Sequence, residues 1–135
     1  MPTPSITYPT GRAIAYPIGV GMSDVSHLAN GNGFSGASIT AHAGGTQALA
    51  TPIRAAVNLV AVCATAGDSV QLPPAMGGLV LWLTNGGAAS CNVFGANTTD
   101  TINGTVGTTA YALATGKSCT IVSPIQGAWF SVLSA

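Results

Sequence analysis

The sequence predicts an all-β fold, an antiparallel β-sandwich of jelly-roll type that follows an extended, irregular N-terminal arm. From residue 46 onward, short β-favouring runs alternate with turn clusters at about the 8–12-residue spacing of sandwiches and barrels. Before that point the chain is rich in proline and glycine, which break helices and interrupt strands. These two observations divide the chain into an arm, residues 1–45, and a β-sandwich domain, residues 46–135.

The arm carries apolar residues between its chain breakers. They fall at about every second position, as in an extended segment that lies against another surface; they are Ile6, Tyr8, Ile14, Tyr16, Ile18, Val20 and Met22. A disordered tail would carry more charge and fewer apolar residues. We therefore predict that these arm residues and Phe34, further along the arm, contact a partner surface.

The domain is expected to contain seven strands, each a β-favouring run between turn signals such as Asn85-Gly86-Gly87 and Asn103-Gly104. The predicted strands cover residues 55–63, 69–72, 79–84, 91–94, 110–114, 118–122 and 128–133. Residues 51–59 also fit a short helix, with Thr51 as its cap and Pro52 at its first position.

The run from Leu79 to Leu83 has no polar alternation. Such a run is typical of a strand that is buried on both faces. One face would lie in the sandwich core and the other beneath a neighbouring subunit or the arm. Val80 and Trp82 are therefore predicted interface residues.

Charged residues are very scarce in this chain. Three Lys or Arg and three Asp or Glu occur among 135 residues, so the formal net charge is zero. An ordinary soluble domain has about 25% charged residues. Because nothing repels neighbouring copies at neutral pH, the composition predicts self-association.

The same composition disfavours several classes of function. Acid–base and nucleophilic catalysis need positioned titratable groups, so we expect no enzyme and no cofactor. Three basic residues are too few to form a patch that neutralises phosphates, so we do not expect the protein to bind nucleic acid. His27 and His42 lack the spacing of a metal site. No apolar run is long enough for a membrane helix, and no secretory signal is evident, so we expect synthesis in the cytoplasm.

Several residues and motifs have both a structural and a functional interpretation. Asp68 and Asp100 each precede a strand and are expected to stabilise turns rather than form a catalytic or metal-binding pair. Residues 31–36 fit GxGxxG without the flanking strand and helix of a nucleotide site. The three cysteines, Cys63, Cys91 and Cys119, are expected to be small buried hydrophobes.

Residues 41–135 contain a series of short motifs in a fixed order. They are Ala41-His42-Ala43-Gly44-Gly45, Gln47-Ala48-Leu49-Ala50, Ala66-Gly67-Asp68-Ser69-Val70-Gln71-Leu72-Pro73, Gly78, Asn85-Gly86-Gly87-Ala88, Val93-Phe94, Asp100-Thr101-Ile102-Asn103-Gly104 and Gly127-Ala128-Trp129. This series resembles small virion proteins of tailed bacteriophages and prophages. The sequence departs from the pattern at Thr99, where glycine is usual, and residues 1–40 have no counterpart in it.

The resemblance implies a structural virion protein, a decoration or cement protein that binds the outer surface of a phage capsid and bridges its subunits. Its partners would be the major capsid protein and further copies of this chain, with a homotrimer preferred because a cyclic assembly matches threefold lattice positions. The alternative is a tail-fibre or surface module that recognises a host glycan through Trp82 or Trp129. Both tryptophans are more often core residues than sugar platforms.

Overall fold

The computed structural model describes residues 36–134, and every regular element in this range is a β-strand. Seven strands form sheet A, in the order β1-β3-β5-β10-β11-β7-β8, and four form sheet B, in the order β2-β4-β6-β9. Sheet A consists of β1 (Gly36–Thr40), β3 (Val57–Val62), β5 (Leu79–Asn85), β7 (Thr101–Ile102), β8 (Thr105–Val106), β10 (Ser118–Ile125) and β11 (Ala128–Leu133). Sheet B consists of β2 (Thr51–Pro52), β4 (Ser69–Gln71), β6 (Cys91–Phe94) and β9 (Tyr111–Leu113).

From β1 to β6 the chain passes alternately from sheet A to sheet B, and successive passes stack on one another. In sheet A, β1, β3 and β5 are parallel neighbours, and in sheet B the same holds for β2, β4 and β6. A last turn runs in the opposite direction, with β9 antiparallel to β6 and β10 antiparallel to β5. The fold is therefore a β-solenoid of about four turns.

The predicted antiparallel jelly-roll sandwich is wrong. In a jelly-roll sandwich the neighbouring strands of each sheet are antiparallel, whereas here each strand of the first three turns pairs in parallel with one about twenty residues away. Short strands between turns occur at similar spacing in both architectures. The spacing therefore does not distinguish the two folds, and only the strand pairing does.

All seven predicted strands are present, with bounds that differ from the prediction by up to three residues. The predicted helix over residues 51–59 is wrong. Thr51 and Pro52 form the edge strand β2, a position that tolerates proline because one side of an edge strand makes no ladder hydrogen bonds. Residues 57–62 continue as β3, in which Val57 and Leu59 are exposed and Asn58 and Val60 are buried.

The core lies between the two sheets. It is formed by the inward side chains of the central strands, mainly leucine, valine and isoleucine from β3, β5 and β10 facing valine and leucine from β4, β6 and β9. Trp129 on β11 is completely buried and belongs to this core, as predicted for a core anchor. Burial of these apolar surfaces supplies the main driving force for the fold.

Asn85 fastens the turn between β5 and β6. Its Nδ2 donates hydrogen bonds to the carbonyl oxygens of Ala89 and Leu113, both at 2.8 Å, and its Oδ1 accepts one from the Gly87 amide at 2.9 Å. The side chain is fully buried, so these bonds replace those it would make to water. The Asn85-Gly86-Gly87-Ala88 motif therefore has a structural role in this fold.

The two sheets differ in how their outward sides are covered. Residues 42–50 lie over sheet B, where Ser69 Oγ donates to the Gly44 carbonyl at 3.1 Å and Gln71 Nε2 donates to the Gln47 carbonyl at 3.0 Å. Gln47 Nε2 in turn donates to the Gly95 carbonyl at 2.7 Å. Much of the outward side of sheet A remains open to solvent within residues 36–134.

The residues from Gly36 onward form a compact unit of their own. Its first strand, β1, lies within the stretch that the sequence assigned to the arm. Six predicted interface residues lie outside the described part of the chain; they are Ile6, Tyr8, Ile14, Tyr16, Ile18 and Phe34.

Candidate functional site

The outward side of sheet A, hereafter the outer face, presents rows of side chains that cross several strands. The longest row runs from Val57 on β3 through Trp82 on β5 and Thr120 on β10 to Val132 on β11, each opposite the next in the register. Val132 is 71% exposed and Val57 is 43% exposed, whereas Trp82 is half-buried. Side chains that are aligned in this way share one face because strands alternate with a period of two.

Two further rows flank the first. Leu59, Thr84 and Ser118 form one, and Val80, Val122 and Phe130 form the other. Thr84 Oγ1 and Ser118 Oγ are hydrogen-bonded at 2.8 Å. The outer face is thus made of valine, leucine and aromatic side chains with a few hydroxyl groups, arranged on a rigid sheet.

No charged side chain stands in these three rows. A shallow groove of about 460 Å³ lies over the longest row and part of the row that contains Thr84, and is lined by Val57, Trp82, Thr84, Ser118, Thr120 and Val132, among others. A face of four strands and about six residues in length measures roughly 20 by 20 Å. That area is typical of the largest apolar patch on a monomeric protein, and such patches are often functional.

The arrangement is suited to binding a flat, uncharged surface. Exposed apolar area gains free energy when it leaves water, at about 25 cal/mol per Å². A charged partner would instead have to bury its charge against side chains that offer no counter-charge, which is strongly unfavourable. The chemistry of the outer face therefore selects for an apolar or hydroxyl-rich partner.

Two of the predicted interface residues lie on the outer face. Val80 is 39% exposed and Trp82 is half-buried, whereas Leu81 and Leu83 of the same strand point into the core. The expected burial of both faces of this strand is thus seen on one side only within the described residues. Sequence reasoning missed Val57, Leu59, Phe130 and Val132, although the apolar residues at alternate positions of β3 and β11 were a signal for them.

Asp68 stabilises the turn that enters β4. Its Oδ2 accepts hydrogen bonds from the amides of Ala64 and Thr65 at 2.8 and 3.0 Å, and its Oδ1 accepts from the Thr65 hydroxyl at 2.8 Å and the Gly44 amide at 3.1 Å. These bonds, above all those from Thr65 and Gly44, lower the pKa of Asp68 to about 2. The resulting stabilisation is present above pH 4 and is lost as the pH falls through the folded-state pKa.

Asp100 has the same kind of role in another turn. Its Oδ2 accepts hydrogen bonds from the Ala75 amide and from Asn97 Nδ2, both at 3.2 Å. The interpretation of the two aspartates as turn-forming residues is confirmed, because each carboxylate accepts hydrogen bonds from the loop that it stabilises.

The cysteine thiols are the remaining candidates for reactive groups that the sequence singled out. The expectation that the three cysteines are buried is confirmed, and all three are free thiols. Burial raises the pKa of Cys119 to about 11 and that of Cys91 to about 12.

Within residues 36–134, no three His, Cys, Asp or Glu side chains come together as a metal site would require. The same stretch holds no helix with the length and apolar character needed to span a membrane.

Comparison with known proteins does not assign the chain to a family. Neither the protein-family models, nor the curated proteins, nor the solved structures contain a match to the chain.

Proposed function

We propose that this protein is a structural subunit that acts as a homo-oligomer, a trimer by preference, on the outer surface of a tailed-phage capsid, where it serves as a decoration or cement protein. The observation that carries the proposal is the uncharged, largely apolar outer face of sheet A. In the proposed assembly this face packs against a second copy of the same chain.

A second copy suits the outer face because the chain itself offers the required chemistry. With three basic and three acidic residues in all, most of its surface is uncharged, so two copies meet without burying unpaired charges. The outer face, at about 400 Å², is smaller than the roughly 800 Å² per partner of a standard interface. The proposed oligomer therefore uses further surface, for which the apolar residues of the N-terminal 35 positions are the candidates.

The virion part of the proposal rests on the resemblance of residues 41–135 to small phage proteins. Several of the shared residues, among them Asp68, Asn85 and Asp100, form turns in this structure. An oligomer of rigid, uncharged solenoids is suited to a protein that stabilises a shell by covering it. Each fully covered valine or leucine contributes about 1.5–3 kcal/mol, and a shell multiplies this by its copy number.

Val132→Asp tests the oligomer. Val132 is 71% exposed on the outer face, so the aspartate is tolerated in a monomer but buries an unpaired carboxylate in the oligomer. Light scattering is expected to give about three times 13.2 kDa for the wild type and 13.2 kDa for the variant. The control is Leu49→Asp, a similar change at a 60% exposed residue outside sheet A, which should stay oligomeric. A monomeric wild type, or an unchanged mass for Val132→Asp, would contradict the proposed interface.

The capsid role has a separate measurement. Particles induced from a bacterial strain that carries the gene are purified and analysed by quantitative mass spectrometry and by immunogold labelling. We expect many copies of the chain per particle, with the label on the head. Particles that lack the chain, or that carry it only on the tail, would remove the decoration role and leave the oligomer intact.

The second candidate function is a module that binds a host glycan, and one observation favours it. Trp82 is half-buried in the groove of the outer face, beside the hydroxyl groups of Thr84, Ser118 and Thr120. An aromatic ring next to hydroxyls is a common arrangement for stacking and hydrogen-bonding a sugar. Trp129 is completely buried and cannot take this role. A monomeric wild type whose tryptophan fluorescence changes with added glycan would favour this candidate.

A further inference from the structure

Asn103 and Gly104 form the turn of the β7–β8 hairpin, which lies at one edge of sheet A. Their φ angles of 52° and 83° are both positive, as a two-residue type I′ turn requires. The Asn103 side chain is exposed to solvent. An asparagine that precedes a glycine is prone to deamidation, because the glycine has no side chain to shield its backbone nitrogen.

The side-chain amide of Asn103 is held against β11 by Ser131. Asn103 Nδ2 donates a hydrogen bond to Ser131 Oγ at 2.8 Å, and Asn103 Oδ1 accepts one from the Ser131 backbone amide at 2.9 Å. The Asn103 backbone amide also donates to the Trp129 carbonyl at 2.8 Å. Ser131 lies between Phe130 and Val132 of the outer face, so its side chain points to the opposite side of sheet A.

We propose that Asn103 is a deamidation site that the hydrogen bonds to Ser131 and the closed hairpin keep latent, and that it reacts when the hairpin opens from β11. A second Asn-Gly pair, Asn85-Gly86, is an internal comparison. Asn85 is fully buried, and both ends of its side-chain amide are hydrogen-bonded in the turn after β5. Asn103 therefore needs only a local opening, whereas Asn85 needs the domain to unfold.

The reaction uses water as its only co-reactant. The Gly104 backbone nitrogen loses its proton and attacks Asn103 Cγ, which closes a succinimide ring. The bond from Cγ to Nδ2 breaks, and Nδ2 takes up a proton and leaves as ammonia. One water molecule then opens the ring at either carbonyl and gives aspartate or isoaspartate. The proton lost by Gly104 balances the one taken up by ammonia, and nothing is oxidised or reduced.

The closed hairpin opposes the first of these steps. Ring closure requires a large rotation about the Asn103 Cα–C bond, which brings the Gly104 nitrogen to Cγ. The pairing of Ile102 with Thr105, directly before and after the turn, fixes this rotation. The ring also cannot form while both ends of the side-chain amide stay bonded to Ser131. The rate of deamidation is therefore set by how often the hairpin opens.

The test follows deamidation of the full-length protein at mildly alkaline pH by peptide mapping, with chromatography that separates asparagine, aspartate and isoaspartate. Each hydrogen bond is worth a factor of about two to ten in the opening equilibrium. Folded wild type should thus convert Asn103 at least about tenfold more slowly than protein unfolded in urea, and should leave Asn85 intact.

Ser131→Ala removes the hydroxyl that accepts from Asn103 Nδ2 and should speed the conversion of Asn103 about two- to tenfold. The matched control is Ser118→Ala, which removes a hydroxyl bonded to Thr84 Oγ1 on the outer face and should leave the rate at Asn103 unchanged. Asn85 should stay intact in both folded variants.

Three results would overturn the proposal. The first is an Asn103 that stays unconverted in folded wild type and in Ser131→Ala while the unfolded chain reacts. The second is an equal rate at Asn103 in wild type and Ser131→Ala, or in folded and unfolded protein. The third is conversion of Asn85 together with Asn103 in the folded protein, since the opening would then be global. The Asn-Gly pairs at 30–31 and 32–33 are mapped in separate peptides. These readouts are independent of capsid binding.

Discussion

Trp129→Ala is expected to lower the free energy of unfolding by about 3–5 kcal/mol, the range found when a large buried aromatic is removed. The indole is completely buried within the core. It also lies where β11 pairs with the short strand β7, and the Trp129 carbonyl accepts a hydrogen bond from the Asn103 amide at 2.8 Å. The cavity would therefore weaken both the core and the attachment of the β7–β8 hairpin. Urea titration monitored by circular dichroism measures the change.

Trp129→Phe is the matched control. The indole Nε1 is buried and has no hydrogen-bond partner among the described residues. Replacement by phenylalanine therefore removes a polar group without breaking a hydrogen bond. We expect a smaller loss, of about 1 kcal/mol, from the reduced volume. Equal losses for the two variants would show that the ring does not fill the core as the structure describes.

Gly87→Ala is expected to destabilise the fold by about 3 kcal/mol, at the upper end of the range for overpacked sites. A Cβ atom at residue 87 would lie 2.5 Å from both the Cβ and the backbone nitrogen of Cys63. Backbone atoms of a packed strand end cannot move aside as a flexible side chain can. The Gly87 carbonyl also accepts a hydrogen bond from the Thr115 hydroxyl, so a shift of residue 87 would strain that contact. Thermal melting would detect a loss of roughly 10–20 °C for a domain of this size.

Gly86→Ala is the matched control at the preceding residue. It distinguishes the steric clash of a Cβ at residue 87 with Cys63 from the effect of replacing any glycine in this turn. Its Cβ would lie 3.0 Å from Leu59 Cδ1, the end of a side chain that can change its rotamer. The expected loss is below about 1 kcal/mol. A melting temperature for Gly87→Ala that matched the one for Gly86→Ala would contradict the close approach of the two turns at Cys63.

The local features of the fold were predictable because they are set by neighbouring residues. The strands over Cys91–Phe94 and Ala128–Leu133 have the predicted bounds, and the turns at Asp68 and Asp100 have the predicted role. Side-chain burial was also predictable for Trp129 and the cysteines. In each case the signal is a residue type with a strong local preference, such as aspartate before a strand or a β-branched residue within one.

The outer face was predictable only in part. The uninterrupted apolar run of β5 indicated Val80 and Trp82. It did not indicate that β3 and β10 lie on either side, so the contributions of Val57 and Thr120 to the same row were hidden.

By itself, the sequence determined that this protein is built of short strands and tight turns, that its cysteines are buried, and that it has almost no charge to display. Only the tertiary structure decided that strands of successive solenoid turns pair in parallel. It also decided that the outer face of sheet A is apolar and open to solvent within the described residues. The physical reason is that strand and turn preferences act over a few residues, whereas the choice of pairing partner depends on the summed packing of side chains about twenty residues apart.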